Sequence, residues 1–261
     1  MAAVRASFIA VRGALFAKTS SPATLQKGAG MAEPQYPTQE GLWSKGVRKE
    51  ESYAGVKLGT PYEKAVENFR LAIQGRGDFD PAVLFVWGTM QAKAVLNILK
   101  AAEEMFGEAG QAMVRKAINK AGYEAAEGLL KNSSFPEGLS DMELVSFIVT
   151  GINCVLYASL EKPWITSETR SEFDILWCPH QDIYTAFDCR VQRYFVEGMI
   201  EAMEANGLGR AIPLVDKLIP KGAECCHFSV DRVQADDTKN PWNSYSEELA
   251  KRALEKIKAE K

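Results

Sequence analysis

The apolar pattern of this chain changes period once, at Gly151, and that change decides the fold class. Between Pro61 and Val149 apolar residues recur every three or four positions, the spacing that gives a helix one buried face. Beyond Gly151 they alternate in short β-branched and aromatic runs, the spacing of half-buried strands. The spacing predicts a helix from Pro61 to about Gln74, with Ala65, Phe69 and Ala72 on one side and Gly75–Gly77 as its stop. Asp80-Pro81 reads as an N-cap and first-turn proline for a helix to about Phe106, which Gly107 breaks. A third helix over 109–131 aligns Met113, Ala117, Ala121 and Leu129. Ser140 and Glu143 have capping-box spacing for a short helix to about Val149.

Strands are expected at Cys154–Leu160 and Glu172–Cys178, with Lys162-Pro163 in the connection between them. In the second, Phe173, Ile175 and Trp177 point one way, Asp174 and Leu176 the other. A helix over about Phe187–Ala205 follows, stopped by Asn206-Gly207. Pro213–Ile219 and Cys225–Val233 then form a hairpin around Pro220-Lys221-Gly222. The expected fold is α+β: N-terminal helices packed on a small antiparallel sheet, with a helix between two β-hairpins.

Four parts are expected: a leader at 1–32, a polar arm at 33–60, the α+β domain at 61–235 and a tail at 236–261. The leader has no acid before Glu33 and carries Arg5, Arg12, Lys18 and Lys27. On a helix, Val4, Phe8, Val11 and Leu15 share a face, the composition of a mitochondrial transit peptide. A plastid address is the second reading, and an ordinary basic arm with Met31 as the start is the third. The arm has Trp43 as its large apolar anchor. The tail ends in a charged helix, read as a solvated surface element in preference to a docking one.

The 261 residues are 46% hydrophobic with a formal charge of -3, so a core is available and no basic footprint for nucleic acid exists. No uninterrupted apolar run comes near the ~18 residues of a spanning helix, so the chain is not expected to cross a membrane. Five cysteines cannot all pair, which favours a reducing compartment.

Both histidines and four of the five cysteines fall within Cys178–Val230. On chemistry alone the candidates are His227 as base, Cys226 as nucleophile and Asp174 as a further base. Asp182 and Asp188 lie nearby, Asp188 placed to cap the following helix. Cys226 and His227 are neighbours on a strand, so they face opposite sides, and Cys226 reads as core-facing. Cys178, His180, Cys189 and Cys226 offer a tetrahedral zinc set, but the spacing lacks paired CxxC motifs. No cofactor is expected, and no stoichiometric metal.

Gly222, Cys226, His227 and Phe228 resemble the last hairpin of the L-2-amino-thiazoline-4-carboxylic acid hydrolase-like family, which carries a glycine, a short turn and Cys-His-Phe. ILKAAEEMFGEAGQAMVRKAINKAGYEAAEGLL is similar to that family's paired helices. The layout is also similar to 4-vinyl-reductase-type small-molecule domains, some of which bind zinc, with Cys189 and Cys226 in the corresponding places. The strand LVDKLIP departs from the zinc-binding relatives by having no cysteine. The resemblance covers about residues 80–233 and implies hydrolysis of a C–N bond in a small cyclic amide or amidine, in a pocket near Cys178–Asp188 and His227. The alternative is a non-catalytic accessory subunit of a mitochondrial inner-membrane complex, the ATP synthase or a respiratory complex. A ligand sensor is the third reading. Expected partners are thus a small molecule or other subunits of a mitochondrial complex.

Overall fold

The structure is a computed structural model and describes residues 56–233 and 240–260. The expected leader at 1–32, nearly all of the 33–60 arm with Trp43, and the end of the domain at 234–235 lie outside the described residues. Helix α1 (Glu63–Ile73) is stopped at Gly75, whose φ of 72° suits glycine. Helix α2 (Ala82–Asn132) begins where the Asp80 carboxylate accepts the Ala82 N–H at 2.9 Å. It bends sharply at Gly107, where φ is 58° and ψ is -134°. In a straight helix, residues eight apart stand ~12 Å apart. Here Gly110 lies against the Ala102 carbonyl, and Gln111 Nε2 donates to Glu103 Oε1 at 2.8 Å. The second arm is therefore folded back over the end of the first.

Helix α3 (Asp141–Gly151) starts with the expected capping box, Ser140 and Glu143 bonding reciprocally. It does not stop at Gly151. A π turn, Ile152–Leu156, continues it, and Ala158 then reverses the chain at a φ of 50°. The strand expected at Cys154–Leu160 is thus displaced. Ile148 and Ile152 are both buried, so helical burial outweighs the β-branched composition of this stretch. Strand β1 (Leu160–Ser167) contains Lys162-Pro163 instead of following it. That is tolerable because β1 is an edge strand, where a missing N–H breaks no ladder on the open side.

Strands β2 (Arg170–Trp177), β3 (Arg210–Lys217) and β4 (Cys226–Val233) complete one antiparallel sheet in the order β1-β2-β4-β3. The two hairpins join through β2 and β4, with Asp174 opposite His227 and Phe173 opposite Phe228. Gly222, at a φ of 89°, closes the second hairpin's turn where the sequence placed it. Between the hairpins runs α4 (Arg190–Ala205). It starts later than expected; in the turn before it Asp188 accepts the Thr185 N–H and hydroxyl, and the Thr185 hydroxyl accepts the Asp188 N–H.

The tail helix α5 (Pro241–Ala259) is not the solvated element the sequence suggested. It buries Trp242, Ser246, Leu249, Ala250 and Ala253. The Arg193 guanidinium sits 3.6 Å from the Trp242 ring centre and donates to the Trp242 carbonyl at 2.8 Å. A cation over an indole held by a hydrogen bond anchors the helix in a way that the charge pattern conceals.

Phe173, Ile175 and Val230 pack on Val145, Ile148 and Met199 to form the core under the sheet. A second cluster joins Leu96, Leu99, Val114 and Ile118 of α2 to Val191 and Tyr194 of α4. The two helices meet backbone to backbone. A Cβ on Gly122 would stand 2.0 Å from the Phe195 carbonyl oxygen, and one on Gly198 would stand 1.9 Å from that of Asn119. Gly198→Ala should therefore destabilise the fold by ~3 kcal/mol, the upper end for overpacking. Gly77→Ala, with nothing within 4 Å, should change stability by less than ~0.5 kcal/mol. Urea unfolding midpoints of the two variants check the contrast.

Candidate functional site

The clustered thiols and imidazoles are divided between two faces of the sheet. On the face away from the core, His227 Nδ1 stands 2.9 Å from Asp174 Oδ1 and Nε2 stands 3.7 Å from Glu172 Oε2. The ring stacks on Trp164 with centres 5.6 Å apart. The Cys225 thiol donates to the same Asp174 oxygen at 3.4 Å. Burial, and then this bond, push the Cys225 thiol up. The carboxylate stands between thiol and imidazole, so His227 has no proton to take from Cys225. Cys226 faces the other way, 8% exposed within the core. Its sulfur accepts the Ile219 N–H at 3.2 Å, and burial pushes its thiol up as well.

Cys178 follows β2, and Cys189 precedes α4. Burial pushes the Cys178 thiol up, and Cys189 is pushed up to about 12, burial again being the main cause. The four thiols of this stretch are therefore held protonated at neutral pH. His180 stacks on Tyr184 with centres 4.9 Å apart, and burial depresses its pKa. Asp182 is exposed. Asp188 forms a 2.8 Å ion pair with Lys100; burial works to raise its pKa, and the bonds from Lys100 and Thr185 outweigh that.

Among the described residues no group of three or more His, Cys, Asp or Glu is arranged to hold a metal ion. Cys178, His180, Cys189 and Cys226 thus do not assemble into a ligand set. The hydrolytic reading is corrected on these grounds. No thiolate is stabilised, the nucleophile and base candidates lie on opposite faces, and no set of three or more His, Cys, Asp or Glu is assembled to hold a metal among the described residues.

A cavity of about 670 Å³ lies elsewhere, between the first arm of α2, the π turn, the end of β2 and the start of α4. Pro179, His180 and Tyr184, from the stretch where the hydrolytic pocket was expected, line this cavity, and His227 does not. Its wall carries no Asp, Glu, Lys or Arg. Three aromatic pairs frame it: Phe85 with Trp177, Tyr157 with Phe195, and His180 with Tyr184. A second hollow of about 720 Å³, between α2, α4 and α5, is charged and internally neutralised by Lys100–Asp188 and by the Glu103–Arg190 pair, each side chain of which is 1% exposed.

The other unusual surface is formed by α1 and the start of α2. α1 buries no residue. Val83, Leu84, Phe85, Val86, Trp87 and Met90 on α2 are all 45% exposed or more. Phe69 of α1 touches Phe79, in the connection before α2, with ring centres 5.8 Å apart. α2 is long and apolar enough to cross a membrane by length and composition, and only 11% of the qualifying window is buried. Neither feature was recognised from the sequence. The available signal was the absence of any charge from Ala82 to Ala92.

No family model matches the chain. An uncharacterized protein of Archaeoglobus fulgidus is 47% identical over 213 residues, spanning 79% of this chain and 94% of that protein. Among solved structures, a trafficking protein particle complex subunit 3 from Naegleria fowleri, covalently bound to palmitic acid, aligns with 57% of this chain and 96% of its own, at 13% identity and a TM-score of 0.39. At that distance the likeness carries no inference about ligand or partner.

The buried imidazole gives the site a pH signature. His180 titrates below 6.5 in the folded chain and near 6.5 when unfolded. Below pH 6.5 the unfolded chain binds the proton more readily, so this group's contribution is present above that pH and lost as pH falls through the folded value. Wild-type stability should drop relative to His180→Phe as pH falls from 7 to 5, measured by urea unfolding at each pH. Parallel profiles would show that His180 is not held neutral.

Proposed function

The chain belongs to the family of the uncharacterized Archaeoglobus fulgidus protein, and we propose that it is a non-catalytic subunit that docks through α1 and the exposed start of α2. One observation carries this reading: α1 has no buried residue, and Val83, Leu84, Phe85, Val86, Trp87 and Met90 at the start of α2 are exposed. Large apolar surfaces left open on a folded domain are covered by partners. A protein partner suits this one better than a bilayer. From Ala92 onward α2 is held by the domain, the Ala92 carbonyl accepting the Tyr184 hydroxyl, so the open stretch 82–91 is ~15 Å long, short of the ~30 Å hydrocarbon core. Nor does the surrounding charge favour anionic lipid. Glu63, Glu67, Asp78 and Asp80 balance Lys64, Arg70, Arg76 and Lys93, where a membrane-binding helix carries a cationic excess.

The proposed host is a mitochondrial inner-membrane complex, and that address rests on residues 1–32 alone. In native gels of an organelle extract the wild-type chain should migrate far above its own 28.8 kDa. Val86→Asp combined with Trp87→Asp should release it to that mass while changing stability by less than ~0.5 kcal/mol, both side chains being more than half exposed. Migration of wild type at its own mass would contradict the proposal. Migration as two copies would assign the face to self-association and contradict it equally.

A further inference from the structure

The first arm of α2 is apolar on two separate sides. On one, Leu96, Leu99 and Ala102 are buried in the domain. On the other lie Trp87, Met90, Ala94, Ile98, Ala101 and Met105, all of them exposed. The four large side chains of this set are each 56% exposed or more. The spacings of three and four residues average about 3.6, so at about 100° per residue the six fall within an arc of about 80°. They form one straight seam, ~27 Å long, from the open start of the helix almost to the bend at Gly107.

The width of the seam selects what covers it. A helix that faces a core shows an apolar stripe of ~100° or more, and a narrower one is the seam of a helix pair. A membrane-surface helix likewise needs a broad apolar face. Nor does α2 offer an edge to a strand, because its backbone bonds are made within the helix. Along the seam, Ala94 and Ala101 stand ~10 Å apart among the larger Met90, Ile98 and Met105. That alternation leaves two shallow gaps, which fit two large apolar side chains at the same separation on a facing helix. Lys93 and Lys100 rim the seam on one side, Gln91 and Val95 on the other. Lys100 is paired with Asp188, and Lys93 has no ion pair among the described residues. The acid on the lysine rim, Glu104, already has an interaction of its own, so a second copy of this chain brings no free carboxylate to Lys93.

We propose that the seam holds an amphipathic helix of the partner protein, at least ~18 residues long, with large apolar residues over Ala94 and Ala101 and an acid facing Lys93. This rests on the docking reading above and states the chemistry that the partner brings to it.

The test uses the full chain in its native assembly, with the photo-crosslinker benzoylphenylalanine placed at Met90 or at Met105, both exposed. These positions are about 15 residues apart, ~22 Å along the helix. The two crosslinkers should attach to one segment of one partner protein, at sites about 15 residues apart. An extended partner segment would cover the same distance in about 7 residues. Ala94→Trp combined with Ala101→Trp fills the gaps and should release the chain from the assembly on a native gel, with its urea unfolding midpoint unchanged. A lipid surface would instead hold that variant more tightly, since tryptophan is favoured at membrane interfaces. Wild type at its own mass overturns the docking reading and the helix with it. Where wild type does assemble, the helix alone is overturned by attachment sites about 7 residues apart, by attachment to separate proteins, to a second copy or to lipid only, or by retention of the tryptophan variant.

Discussion

The close crossing of α2 and α4 at Gly122 and Gly198 is the constraint on which the rest of this structure depends. Two helices ordinarily pack 8–10 Å apart with side chains between them. Here the carbonyls of Phe195 and Asn119 occupy the space that those side chains would need. Glycine inside a helix costs ~1 kcal/mol relative to alanine, and the chain carries that cost twice to obtain the contact. The crossing sets α4 between the two hairpins, against the Leu99–Ile118 cluster on one side and the sheet core on the other. It also aligns Ile118 with Val191 and Phe195, which form one wall of the apolar cavity. Beyond the crossing, Arg190 is paired with Glu103, and Gln111 reaches both Glu103 and the Ala250 carbonyl of α5. A buried ion pair of this kind is weak evidence for net stability, but removing either partner would strand a charge in the core, at a cost of ~3–5 kcal/mol.

Chemistry at the sheet follows from strand geometry. Adjacent residues on a strand face opposite sides, and that alone parts Cys226 from His227. The outer face is then left with a histidine held between two carboxylates and stacked on Trp164, an arrangement that orients an imidazole without giving it a nucleophile. The inner face has thiols raised by burial, which are inert as nucleophiles. The cysteine and histidine content that made hydrolysis attractive is thus dispersed by the fold.

Local signals in the sequence translated into structure wherever one residue decides one conformation. Ser140 and Glu143 form their box, Gly107 bends its helix, Gly222 closes its hairpin, and Phe173 and Ile175 alternate inward as their spacing requires. Signals failed where tertiary context decides. Cys154–Leu160 has strand composition, yet buried Ile148 and Ile152 carry the helix on into a π turn. Pro163 looked like a connection because edge position cannot be read from a single strand. α5 looked solvated because its anchor, Arg193 over Trp242, joins residues 49 apart. The cavity was legible only as a position near Cys178–Asp188. Its wall is assembled from four separate elements, and the π turn that places Tyr157 has no sequence signature.

The central claim is that α1 and the start of α2 leave a large apolar surface exposed and that a protein partner covers it. Amide hydrogen exchange of residues 63–92 tests it most directly, comparing the isolated chain, diluted until monomeric, with the chain in its native assembly. The account predicts fast exchange in the monomer, since none of these residues is buried, and strong protection in the assembly. Protection in the monomer equal to that of α4 would contradict it.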